Sequence, residues 1–106
     1  MGALVRGQKN AWIHGVATVG VAAAGWILGV SREEWCLLLL AMGLVWVAEG
    51  LNTAVEMLAD AVAPGRDDRV GRAKDVAAGA VLLASVAAAA VGVVVFLPRL
   101  GTKLGL

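Results

Sequence analysis

Three uncharged or nearly uncharged runs divide the 106-residue chain. The first extends from Ile13 to Val30 and is broken only by His14 and Thr18. The second begins at Trp35, stays uncharged to Ala48, and keeps helical register to about Ala63. The third, Val76 to Leu97, carries no charge at all. A helix crosses a bilayer with about 20 apolar residues. The third run meets that length outright, and the first two do so when their polar ends are counted. The pattern predicts an all-α membrane protein with three transmembrane helices over about residues 10–30, 32–63 and 68–97, in one domain spanning 1–106.

The boundaries have local causes. Ser31 is placed to cap the second helix, with Glu34 at the capping-box position. Glu33 and Glu34 then sit at the positive end of its dipole. Pro64-Gly65 ends that helix, Asp67 or Asp68 caps the third, and Pro98 is expected to stop it. Lys and Arg in short loops set orientation. Arg6, Lys9, Arg66, Arg69, Arg72 and Lys74 fall on one side; Arg32, Arg99 and Lys103 fall on the other. The richer side, holding the amino end and the 64–75 connector, is therefore expected in the cytoplasm. Trp12 and Trp35 are expected near opposite interfaces, with Trp26 and Trp46 as packing residues.

Composition agrees with a membrane chain: 60% hydrophobic and 16% charged, with a mean hydropathy of +0.85. The net charge of +1 leaves no basic surface for nucleic acid. A lone cysteine, Cys36, excludes an intrachain disulfide and reads as a packing residue. No cleavable leader or lipidation signal is expected from the amino-terminal residues. Gly25 and Gly29 form a GxxxG, and the third helix is rich in small residues (Ala77, Ala80, Ala84, Ser85, Ala87). Such surfaces let helices approach closely, within one protomer or between protomers.

The end of the second run breaks the apolar pattern. Counting from Glu49 at about 100° per residue, Asn52 lies near 300°, Glu56 near 340° and Asp60 near 20°. All four share one face, opposite Leu51, Ala54 and Leu58. An ionised carboxylate at mid-bilayer costs about 2.5–3.5 kcal/mol. These acids are therefore expected to face a protein interior, pair with cations, or ligate a metal. A semi-dry carboxylate has the chemistry of a general base. A second one two turns away is a ligand for Mg²⁺, which prefers oxygen and keeps waters and phosphates in its shell. Lys74 and Arg72 bring cationic charge suited to phosphates. Base, metal and cation together equip a site for phosphoryl transfer. No P-loop or protein-kinase signature accompanies them; "GALVRGQK" lacks the Gly-Lys-Ser/Thr ending.

The segments "AEGLNTAVEMLAD" and "GRAKDVAAGAVLLAS" resemble the bacterial integral-membrane diacylglycerol kinase/undecaprenol kinase family. The shared pattern is E-x-x-N-x-x-x-E-x-x-x-D, thirteen residues, then K-D. "QKNAWIH" looks like a diverged form of that family's "ERNFRIH". The resemblance implies a homotrimer in the bacterial inner membrane, with composite active sites facing the cytoplasm. ATP is the implied donor, with Mg²⁺, and undecaprenol or diacylglycerol the implied acceptor. "AKDVAAGAVLLA" looks more like the undecaprenol kinase branch. By position, Glu49 matches the catalytic base and Glu56 a metal carboxylate, while Asn52 and Asp60 match site-lining residues. Lys74 and Asp75 match a nucleotide-contacting pair, Lys74 towards the phosphates.

Three departures accompany the resemblance. Gln8 stands where the family has a second metal-binding Glu, and offers an uncharged oxygen. Trp12 replaces an Arg. Gly65, Arg66 and Asp67 occupy an acidic-aromatic-His segment that touches nucleotide, which makes Arg66 and Asp67 its counterparts here. The amino end leaves little of the family's surface helix. His14 matches a family position but reads as a solvated or packed interface histidine. The rival readings are a small membrane scaffold or a proton- or cation-conducting subunit built on the acidic stripe, and a family member inactivated at Gln8.

Overall fold

The computed structural model describes the backbone of residues 2–105 and the side chains of residues 11–105. Its elements are α1 (Gly2–Leu28), α2 (Arg32–Val62) and α3 (Asp68–Lys103). No strand occurs among the described residues. All three helices are long and apolar enough to cross a membrane. The bundle is elongated, 57 × 22 × 21 Å. Its longest dimension exceeds the roughly 30 Å hydrocarbon core of a bilayer, so helix ends reach beyond it.

The caps expected for α2 and α3 form, whereas Gly29, expected as a packing residue, sits instead at the end of α1. Gly29 has φ +67°, a left-handed conformation that a side chain resists, and it ends α1. Ser31 then caps α2. Its Oγ accepts from the Glu34 backbone N–H at 3.2 Å, and the Glu34 carboxylate accepts from the Ser31 N–H at 2.9 Å. Asp67 caps α3, its Oδ1 accepting from the N–H groups of Arg69 and Val70.

Pro98 does not stop α3. The helix runs through it to Lys103. A proline removes one backbone donor and crowds the preceding turn, a penalty of about 3 kcal/mol in a helix interior. The turns beyond it are anchored instead. Arg99 Nε donates to both Glu34 oxygens at 2.8 and 3.1 Å, and its Nη2 also donates to Oε1. Arg99 Nη1 donates to the Gly29 carbonyl at 3.1 Å, and Lys103 Nζ reaches the Ile27 carbonyl at 3.4 Å. Cations on α3 thus satisfy the free carbonyls at the end of α1, as cations near a helix C-terminus commonly do. This clasp joins all three helices.

Packing is closest between α2 and α3, with α1 held more loosely. Val30, Leu38 and Val95 form the small apolar core near the clasp, with Trp35 and Phe96 against it. Gly25 is required there. A Cβ at that position would stand 2.6 Å from the Trp35 indole. The Gly25 half of the GxxxG therefore serves contact with α2 within the chain. Trp26, by contrast, is 83% exposed and points away from the other helices.

Candidate active site

The inward stripe of α2 is the element that positions the site. Leu38, Ala41, Val45, Glu49, Asn52 and Ala59 are its buried residues. The stripe begins apolar and becomes polar at Glu49 without changing face. Glu49 is 6% exposed and Asn52 is 9% exposed. The two groups therefore lie against protein rather than against the bundle's outer surface. Glu56 is half-buried and Asp60 exposed, so the acidic line runs from the interior outwards along α2.

Glu49 meets α1 and α3 across a cavity of about 350 Å³. Its lining includes Ile13 and His14 from α1, Glu49 and Asn52 from α2, and Ala78, Leu82 and Ser85 from α3. The small α3 residues leave the space. His14 Nε2 lies 3.4 Å from Glu49 Oε2, with the imidazole 16% and the carboxylate 8% exposed. Of the solvated or packed interface roles expected for His14, the packed one holds, and the residue it packs beside is the buried acid. Asn52 Oδ1 is buried without a hydrogen-bond partner among the described residues. An unpaired buried amide oxygen costs about 1–3 kcal/mol, so its place beside Glu49 points to an incoming donor.

The connector residues form a second group. A cavity of about 530 Å³ is lined by Arg66, Asp67, Asp68, Gly71, Arg72 and Asp75. No connector residue lines the Glu49 cavity among the described residues. Lys74 Nζ lies 3.9 Å from Asp60 Oδ1, with both groups substantially exposed. Asp67 spends its Oδ1 on capping α3 and lies 3.9 Å from Arg69. One chain therefore brings Glu49, Asn52 and His14 together, and Arg66, Asp67 and Asp75 together, in separate recesses.

Gln8 lies on α1, but its side chain is outside the described residues. Glu56 presents a half-buried carboxylate on the Glu49 face. No cluster of three or more His, Cys, Asp or Glu groups assembles among the described residues. A single half-buried carboxylate such as Glu56 is a donor Mg²⁺ accepts when substrate phosphates and waters complete its shell.

His14 and Thr18 are the residues whose role sequence reasoning missed. The signal was present: they are the only polar interruptions of the first apolar run, four residues apart and so on one helix face. Both face α2. Trp46 Nε1 donates to Thr18 Oγ1 at 2.9 Å, and the Trp46 ring meets the His14 ring edge-on with centroids 6.0 Å apart.

Comparison with known proteins places this arrangement in a family. The family model for prokaryotic diacylglycerol kinase matches residues 1–96. The chain is similar to the undecaprenol kinase of Bacillus subtilis, with 34% identity over 90% of this chain and 77% of that protein. It is 40% identical to the diacylglycerol kinase of Synechocystis over 88% of this chain, although that match spans 54% of the relative. The Escherichia coli K12 diacylglycerol kinase is 35% identical over 78% of this chain and 74% of its own length. No solved structure matches the chain. On a match covering nearly the whole sequence, the chain belongs to the prokaryotic diacylglycerol kinase family.

Proposed function

We infer that this lipid kinase transfers the γ-phosphoryl group of ATP to the hydroxyl of a membrane lipid, undecaprenol before diacylglycerol, in a reaction supported by Mg²⁺. The observation that carries the reading is the burial of Glu49 on the inward face of α2, in a cavity beside His14 and the unpaired Asn52 oxygen. Counting about 20 residues from Trp35 puts the inner edge of the span near Ala54. Glu49 then lies just inside the bilayer, and Glu56, Asp60 and Lys74 lie at its surface. A lipid hydroxyl reaches the first from the membrane, and a water-soluble nucleotide reaches the second group from the aqueous side.

Glu49 accepts the lipid hydroxyl proton as that oxygen bonds to the γ-phosphorus. The bond from γ-phosphorus to the bridging oxygen breaks, and ADP leaves with the electron pair. Asn52 orients the acceptor by donating from its side-chain amide N–H to the acceptor oxygen, whose one proton goes to Glu49. Lys74, held near Asp60, offsets phosphate charge, and Asp75, Arg66 and Asp67 contact the nucleotide. Glu56, with Gln8, would hold Mg²⁺, which when bound neutralises charge on the phosphates.

The assembly proposed is a homotrimer whose sites are shared between protomers. The separation of the Glu49 cavity from the connector recess supports it, because a neighbouring chain would complete each half. The site faces the cytoplasm, on the side richer in Lys and Arg. The test is a purified-protein assay with labelled ATP, Mg²⁺ and each lipid alcohol. Label in undecaprenyl phosphate above that in phosphatidic acid is expected. Transfer to neither lipid contradicts the reading.

A further inference from the structure

We propose that Thr18 and Trp46 form a lock that holds His14 against Glu49, so that His14 is a positioning residue for the reacting carboxylate. The inference rests on the assignment of Glu49 as the base. It is carried by four contacts that close a circuit between α1 and α2. Trp46 Nε1 donates to Thr18 Oγ1 at 2.9 Å. The Thr18 hydroxyl donates onward to the His14 carbonyl at 2.7 Å. The Trp46 ring lies edge-on to the His14 imidazole, 61° between planes. The imidazole Nε2 faces Glu49 Oε2 at 3.4 Å.

Each group is committed by its chemistry. An indole has one donor and no acceptor. In a bilayer that donor has no water to turn to, so Thr18 fixes the Trp46 ring plane. The same hydroxyl uses both its donor and its acceptor capacity. Trp46 and Glu49 are three residues apart on α2, and His14 and Thr18 four apart on α1, so each pair shares a face. With its ring braced by Trp46, His14 is restricted in χ2 and aims one nitrogen at the acid. A carboxylate awaiting a proton gains rate from being held in its reactive geometry beforehand. Because α1 is the most loosely packed helix, a specific tether here decides whether His14 and Glu49 meet.

The experiment pairs conservative variants with two readouts. Thr18→Val keeps shape and removes the hydroxyl; Trp46→Phe keeps an aromatic ring but removes the indole N–H together with part of the ring surface; Thr18→Ser restores the hydroxyl. Each of the first two is expected to lower kcat by about 3- to 10-fold, the scale of one lost hydrogen bond, with KM for ATP unchanged. Thr18→Ser recovers most of the loss. In a His14→Gln background neither substitution lowers kcat further, because the lock then has nothing to position. The chain has one histidine, so its imidazole ¹⁵N resonances read the contact directly; Thr18→Val is expected to move them. Unchanged kcat, losses that multiply with that of His14→Gln, or parallel loss of nucleotide affinity would each overturn the proposal, the last by showing a general tether. Glu49→Gln separates the two readings. If it shifts the His14 resonances but keeps turnover, the base assignment fails while the contact stands.

Discussion

Replacing Asn52 with leucine should make the bundle more stable and the enzyme inactive. Asn52 is 9% exposed, and its Oδ1 is buried without a hydrogen-bond partner among the described residues. A buried polar atom without a partner costs about 1–3 kcal/mol. Leucine has the same branched heavy-atom skeleton as asparagine, with bulkier methyls, and packs against the apolar residues that share its surroundings, such as Leu44, Leu51 and Ala84. The substitution should therefore stabilise the folded state by up to about 1–3 kcal/mol, or about 5- to 150-fold in the unfolding equilibrium. Turnover should fall to background, because the amide that orients the acceptor is gone. Stability is read by equilibrium unfolding in mixed micelles at fixed protein concentration, since the proposed assembly would couple to it. Turnover is read with labelled ATP. Loss of stability combined with retained turnover would refute the reasoning, because Asn52 would then be a satisfied structural residue. Stability exchanged for activity is the expected signature of a strained functional position.

Much of this was legible in the sequence because membrane chains state their constraints openly. The three helices, the Ser31–Glu34 capping box and the Asp67 cap all follow from local patterns that the structure reproduces. The acidic stripe was legible as a common face from helical spacing alone. That such a face meets protein, cations or metal followed from the cost of a bare carboxylate in lipid; which residues of the neighbouring helices meet Glu49 did not. Direction depends on what α1 and α3 present, and both faces of α2 are apolar along much of its length. Pro98 misled for a related reason. Its local rule is sound, but Arg99 and Lys103 find partners on Glu34, Gly29 and Ile27, far away in sequence. The four-residue spacing of His14 and Thr18 marked a shared face but not what that face meets; its meaning came from Glu49 and Trp46 on another helix.

Other substitutions probe the remaining parts. Gly25→Ala should destabilise the bundle by about 1–3 kcal/mol, the usual penalty of overpacking, because the new methyl would stand 2.6 Å from the Trp35 ring. The same change in a Trp35→Ala background should cost little; an equal loss in both backgrounds would place the strain elsewhere. Lys74→Met should raise KM for ATP about tenfold, or about 1.4 kcal/mol. Stability should barely move, since the Asp60 pair is substantially exposed. An unchanged KM would free Lys74 from the phosphates. Gln8→Glu should lower the magnesium concentration needed for half-maximal rate, and an unaltered titration would remove position 8 from the metal.

The central claim, that the inward carboxylate of α2 takes the lipid proton, is tested most directly by comparing Glu49→Gln with the unaltered protein in a single turnover, with ATP affinity measured in parallel. Glutamine keeps the shape and removes the basic oxygen. A fall of about 100-fold or more in the phosphotransfer step, the lower range for a lost general base, with ATP affinity preserved, is the predicted result. A near-normal rate constant for that step would contradict the account.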